Sequence, residues 1–208
     1  IKCDVGSENQ IENSINNIIK KFKKIDVLIY NVYSKPEMYY KKFIHYDTKV
    51  WKKAVDINLT GAYLATKYLI SLKKSKNLNF IYLLSTYGLV GPDANLYAGL
   101  SAKKNIYGGK YSLNTPAVYT TTKSALLGFS KYISTTFGKD GVRSNCLTPG
   151  GVYDNQEKKF VRKYKSKVPL GRMAKWTDYN GAILFLASDA SSYMTGSNLI
   201  VDGGWTAW

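Results

Sequence analysis

The order of residue patterns along the chain predicts an α/β fold, with a parallel sheet covered by helices on both faces. Three observations carry that expectation. Segments with helical periodicity alternate with short strand-like segments from one end to the other. The strand-like segments at 25–32 and 79–85 are apolar runs with little alternation, as strands buried on both faces are. Asn31, Ser85 and Pro149-Gly150 all stand at the carboxyl ends of strand-like segments, and in open parallel sheets ligands bind beyond those ends.

Cys3-Asp4-Val5-Gly6 reads as a strand end running into a turn, with Ser7 and Gln10 spaced as a capping box. Ile11, Ile15, Ile18, Ile19 and Phe22 then form one helical stripe. Residues 25–32 are a run of β-formers with the look of a strand buried on both faces. Pro36 and a Tyr/Lys-rich loop lead to Asp47, a helix N-cap, and to a long helix over about 48–74. Residues 79–85 form the second buried strand, ended at Gly88. Residues 89–115, rich in Gly, Asn, Tyr and Ser, read as a loop of a length more often functional than incidental. A helix over about 116–137 follows, then a strand over 142–148 stopped by Pro149-Gly150-Gly151. A charged helix within 154–168, a helix capped by Thr177 and running to Ala187, and a last strand over 197–201 complete a single domain of 208 residues.

Composition narrows the function. One histidine, His45, leaves no room for a histidine-based triad or a multi-histidine metal site, and Cys3 and Cys146 lack metal-ligand spacing. Two distant cysteines without a disulfide framework point to a reducing compartment, so a cytoplasmic location is expected. No apolar run approaches a membrane span, and no membrane partner is expected. The net charge of +16 is spread over short lysine pairs on polar helix faces, so a solvated basic surface is favoured over a nucleic-acid footprint.

Tyr119 and Lys123 stand four apart at the start of the 116–137 helix and share one face. A phenol ordinarily loses its proton near pH 10, and a nearby ammonium favours the phenolate. Such a phenol can give or take a proton at working pH. The pair alone occurs in many helices by chance, so its neighbours decide its meaning.

Those neighbours resemble the motifs of the short-chain dehydrogenase/reductase family. Asn58-Leu59-Thr60-Gly61 is similar to its Asn-x-x-Gly helix motif, Ser85-Thr86-Tyr87-Gly88 to its Ser-x-x-Gly segment, and Tyr119-x-x-x-Lys123 to its active-site pair. The run 26–32, Pro149-Gly150-Gly151-Val152, Thr195-Gly196 and Val201-Asp202-Gly203-Gly204 resemble further family segments, so that the likeness covers residues 3–208. The resemblance implies a Rossmann-type doubly wound sheet in three α/β/α layers and an oxidoreductase using NAD or NADP. It implies that Tyr119 is the general acid/base, that Lys123 lowers its pKa and holds the nicotinamide ribose, that Ser85 binds the reacting oxygen, and that Asn58 stands in a proton relay. Asp4, Val5, Asn31, Pro149, Gly150 and Val152 are implied on the cofactor side, with no metal. A small-molecule substrate and a homo-dimer or homo-tetramer are implied as partners. The competing expectation is an inactive fold serving as an interaction subunit.

Departures from the family pattern carry their own expectations. No Gly-x-x-x-Gly-x-Gly loop occurs, so the chain is expected to lack the first strands and the glycine-rich loop of the family fold. Tyr30 and Val32-Tyr33 replace most of an Asn-Asn-Ala-Gly segment, and a bulkier adenine-side wall is expected. Asp154 stands where the family often has Thr. Tyr119 follows Ser85 by 34 residues, counted from their positions, and residues 92–115 form the insertion between them. With the ending Trp205-Thr206-Ala207-Trp208, the insertion is similar to a subgroup of surface-sugar and flagellin-modification gene sets acting on amino-sugar intermediates. The Trp205–Trp208 tail is expected at a subunit contact.

Overall fold

The computed structural model describes residues 1–72, 77–107 and 110–208. Four strands, β1 (Val27–Tyr30), β2 (Asn79–Leu83), β3 (Arg143–Pro149) and β4 (Asn198–Val201), form one sheet in the order β1-β2-β3-β4. All three pairings are parallel, with Leu28 opposite Phe80, Ile81 opposite Asn145 and Leu147 opposite Leu199. The helices are α1 (Glu8–Phe22), α2 (Thr48–Val55), α3 (Gly61–Leu72), α4 (Ala117–Phe137), α5 (Lys158–Lys165) and α6 (Asn180–Ala187).

Alternate residues of each strand pack on opposite layers. Phe80, Tyr82 and Cys146 face α1, α3 and α4, joined by Ile11, Ile15, Leu69 and Leu126. Ile81, Leu83 and Leu147 face α6 through Leu186. β2 is buried at every position, which is why its sequence shows no alternation. β1 departs from that expectation: Ile29 is 42 % exposed. β1 is the sheet edge, and among the described residues α6 reaches only Val27 on that face.

Local chemistry corrects several other expectations. Ser7 starts α1 without a side-chain cap, and the Gln10 carboxamide accepts instead from Asp4 N at 2.9 Å. Phe22 lies off the buried stripe and is exposed. Asp47 does cap α2, accepting from Lys49 N. The helix expected over 48–74 is interrupted by a π turn at Asp56–Thr60, and its last two residues fall outside the described ones. Thr177 is not the cap of α6: a 3-10 turn, Trp176–Tyr179, precedes it, and Asp178 takes the bond from Lys175 N. Tyr30 turns into the core, where its hydroxyl donates to the Ile57 carbonyl, and so adds no bulk to a ligand wall. Trp205 packs within its own chain, stacked on Tyr164 at 4.6 Å and edge-on to Tyr87, so the tail's expected role at a subunit contact has only exposed Trp208 to offer. Among the described residues no helix is long and apolar enough to cross a membrane.

Candidate active site

The carboxyl ends of β1, β2 and β3 open into one cavity of about 520 Å³. Asn31, Ser85 and Pro149-Gly150-Gly151-Val152 come to it from those strand ends, and Tyr119 and Lys123 from the first turns of α4. Sheet twist and short connections bring together residues more than a hundred positions apart.

Ser85 is buried, and its Oγ accepts from Tyr87 N at 3.2 Å, which turns the chain out of β2. Ser85 and the Tyr119 phenol line the cavity together. Burial pushes the Tyr119 phenol above its usual range, and Ser85 opposes that shift. Lys123 stands one helical turn beyond Tyr119 on α4. Its Nζ donates to the Leu83 carbonyl at 2.5 Å and lies 5.9 Å from the Tyr119 ring centre. Burial also pushes the Lys123 ammonium down to about 8. Desolvation therefore dominates both groups, and the phenol rests protonated.

Asn58 is buried inside the π turn between α2 and α3. Its Oδ1 accepts from Ser34 N at 2.7 Å, and its Nδ2 faces Thr122 Oγ1 at 3.4 Å. It thus ties the loop after β1 to α4, while Lys123 bonds elsewhere; no direct Asn58–Lys123 bond is present among the described residues. Gly61 explains the spacing of its motif. A Cβ there would lie 2.5 Å from the Tyr30 hydroxyl and 2.7 Å from the Val5 carbonyl, so only glycine lets α3 approach β1. Gly150 is equally constrained, since a Cβ would meet the Asp202 backbone at 2.9 Å.

Asp4 and Val5 are not among the cavity's lining residues. Asp4 accepts from Gly6 N, and Val5 packs against Gly61 and the core. The insertion does border the site. Tyr97, Tyr107, Leu113, Asn114 and Thr115 line the cavity. Asn114 Nδ2 donates to the Tyr40 carbonyl at 2.6 Å, and Gln156 Nε2 donates to the Tyr107 hydroxyl at 3.1 Å.

Sequence reasoning passed over Lys35, Tyr39 and Tyr40 of the loop after β1, and Gln156, Tyr164 and Trp176 beyond β3, all of which line the cavity. For Lys35, Tyr39 and Tyr40 the position after the carboxyl end of β1 was the available signal, whereas Tyr164 and Trp176 lie too far beyond β3 for it. Tyr33 replaces a glycine of the family pattern and meets Tyr119 edge-on at 5.9 Å.

The cavity suits the nicotinamide end of a dinucleotide. It has the volume for a ring and a small substrate, a buried ammonium at its base, and hydroxyl and amide groups around a mostly apolar lining.

Comparison with known proteins agrees with this geometry. The family model described as enoyl-(acyl carrier protein) reductase matches residues 1–104 and 104–206. A sorbose reductase of Candida albicans is 31% identical over 217 residues, which cover 99% of this chain and 68% of that protein. A peroxisomal 2,4-dienoyl-CoA reductase of Saccharomyces cerevisiae is 28% identical over 209 residues, and the chain spans 63% of its length. A short chain dehydrogenase from Leptospira borgpetersenii, solved with bound NAD+, superposes with a TM-score of 0.82 at 29% identity, over 99% of this chain and 74% of that one. Motifs, sheet order, site geometry and these relatives lead to one conclusion: the chain belongs to the short-chain dehydrogenase/reductase family.

Proposed function

We propose that this protein is an NAD- or NADP-dependent oxidoreductase that interconverts a secondary alcohol and a carbonyl at Tyr119. The observation that carries this reading is the convergence of Ser85, Tyr119 and Lys123 on the cavity at the strand ends. The bound nicotinamide would supply or accept the hydride. Lys123, Asn31 and the Pro149–Val152 turn would hold it. Asp4 and Val5 remain part of this proposal for the adenine side.

Tyr119 gives its proton to the carbonyl oxygen during reduction and takes one from the alcohol during oxidation. Because burial keeps the phenol protonated, the resting site is set for reduction at neutral pH. Ser85 holds the reacting oxygen and the phenol together, so charge developing on that oxygen meets a fixed donor. Lys123 places a positive charge behind the phenol as the proton leaves. Asn58 acts as a positioning residue by fixing the loop after β1.

The finer reading is a polar, sugar-derived substrate of the surface-glycan kind, supported by the tyrosine and amide groups that residues 92–115 present to the cavity. A homo-dimer or homo-tetramer and a cytoplasmic location complete the proposal. Exposed Tyr63, Tyr132 and Leu184 on the helices support the oligomer. The inactive-subunit reading leaves the convergence of Ser85, Tyr119 and Lys123 on one cavity without a reason.

The test is to follow nicotinamide oxidation and reduction with a panel of polyols, hydroxy acids and matching ketones. Turnover that falls about 100-fold in Ser85→Ala is expected. Turnover unchanged by Ser85→Ala would overturn the reading.

A further inference from the structure

Lys35 lies in the loop after β1 and lines the cavity that contains Tyr119. Its Nζ stands 3.6 Å from the centre of the Tyr107 ring and 5.0 Å from that of Tyr33. A lysine ammonium is strongly hydrated, and drawing it off water is costly unless something replaces the water. Ring faces replace it in part. Among the described residues Lys35 takes part in no ion pair. The cavity's charged lining residues are Lys35, Lys123 and Asp154, so two cations face one carboxylate. Burial lowers the proton affinity of Lys35 and Asp154 partly restores it.

We propose that Lys35 captures an anionic group, a carboxylate or a phosphate, on the substrate whose alcohol or carbonyl meets Tyr119. The Tyr119 half rests on the function proposed above; the capture of an anion at Lys35 does not. The Tyr33 ring sets the scale. It lies 5.0 Å from the Lys35 ammonium, 5.9 Å from the Lys123 ammonium and 5.9 Å from the Tyr119 ring. A molecule of a few carbons bridges such a span. The substrate class is therefore a small hydroxy or keto acid, or a phosphate ester of similar length.

Calorimetric titration of the 208-residue chain with malate, with inorganic phosphate and with glycerol tests this without turnover. Saturable binding of malate, phosphate or both, but not glycerol, is expected; the stronger of the two assigns the anion. Lys35→Met should weaken that binding about tenfold or more, and Lys35→Arg should retain most of it. Lys103→Met, at an exposed position outside the cavity, should change nothing, which separates local capture from the general charge of +16. Equal binding in wild type and Lys35→Met, an equal loss in Lys103→Met, or no binding of either anion by the folded wild type would overturn the proposal. Lys35-dependent binding in a chain that never turns over a nicotinamide would sink the oxidoreductase reading and leave this one standing.

Discussion

The two sides of the cavity are built differently. Its floor consists of residues at the ends of regular elements, each fixed by a bond to backbone: Ser85 after β2 and Lys123 against the Leu83 carbonyl, with Asn58 in its π turn outside the lining itself. Its wall comes from the loop after β1 and the segment 92–115. Two-sided side-chain contacts hold the wall: Asn114 to the Tyr40 carbonyl, Lys35 over Tyr107, Tyr111 to the Met38 sulfur. The difference teaches a division of labour. A floor built on the sheet can hold a proton donor to the tolerance that chemistry needs, whereas a wall built on loops can vary to select the molecule that enters.

Variants on the two sides should therefore separate in kinetics. Lys123→Met, on the floor, is expected to lower kcat about 100-fold or more while leaving the substrate KM within a small factor. A rise in KM alone would place Lys123 in the wall's class. Gly61→Ala tests the rigidity of the floor. Its Cβ would strike the Tyr30 hydroxyl and the Val5 carbonyl, so a loss of about 1–3 kcal/mol in urea unfolding is expected. Adding Tyr30→Phe should recover part of that loss, and no recovery would mean that the Val5 carbonyl alone sets the constraint.

The pH dependence sharpens the same comparison. Lys123 titrates at about 8 in the fold, against about 10.4 for an unfolded lysine. Between those values the unfolded chain holds a proton that the folded chain has released, so stability gains with rising pH across that window. Buried phenols such as Tyr30, Tyr39 and Tyr87 are shifted up, so above about pH 10 they act in the opposite sense. Subtracting the unfolding curve of Lys123→Met from that of wild type should leave the gain between pH 8 and 10. A flat difference would show that the ammonium is not desolvated. The smallest effect is expected on the wall: Asn114→Ala removes one bond to the Tyr40 carbonyl, worth about 1 kcal/mol, and should raise KM about fivefold with kcat unchanged.

The same contrast explains what was legible in the sequence. Apolar runs without alternation marked β1 and β2, the Pro149 stop marked the end of β3, and Ser85, Tyr119 and Lys123 followed from position relative to strand ends and helix starts. Ile29 misled because a strand's residue types do not tell whether a helix covers the sheet edge. The upward shift of the Tyr119 phenol was not legible because a four-residue spacing shows which side chains share a face, not how deeply they are buried. Lys35 and Tyr39 were hidden because loop contacts follow from tertiary closure rather than from periodicity. Gly61 appeared as a motif letter, and only the packing of α3 on β1 gave it a reason.

The claim at the centre of this account is that the Tyr119 phenol, paired with Ser85, moves the proton. Single-turnover hydride transfer in Tyr119→Phe, with cofactor and substrate preloaded, measures it most directly. The account predicts a rate lower by about 1,000-fold, with cofactor and substrate affinities close to those of wild type. A transfer rate equal to that of wild type would contradict it.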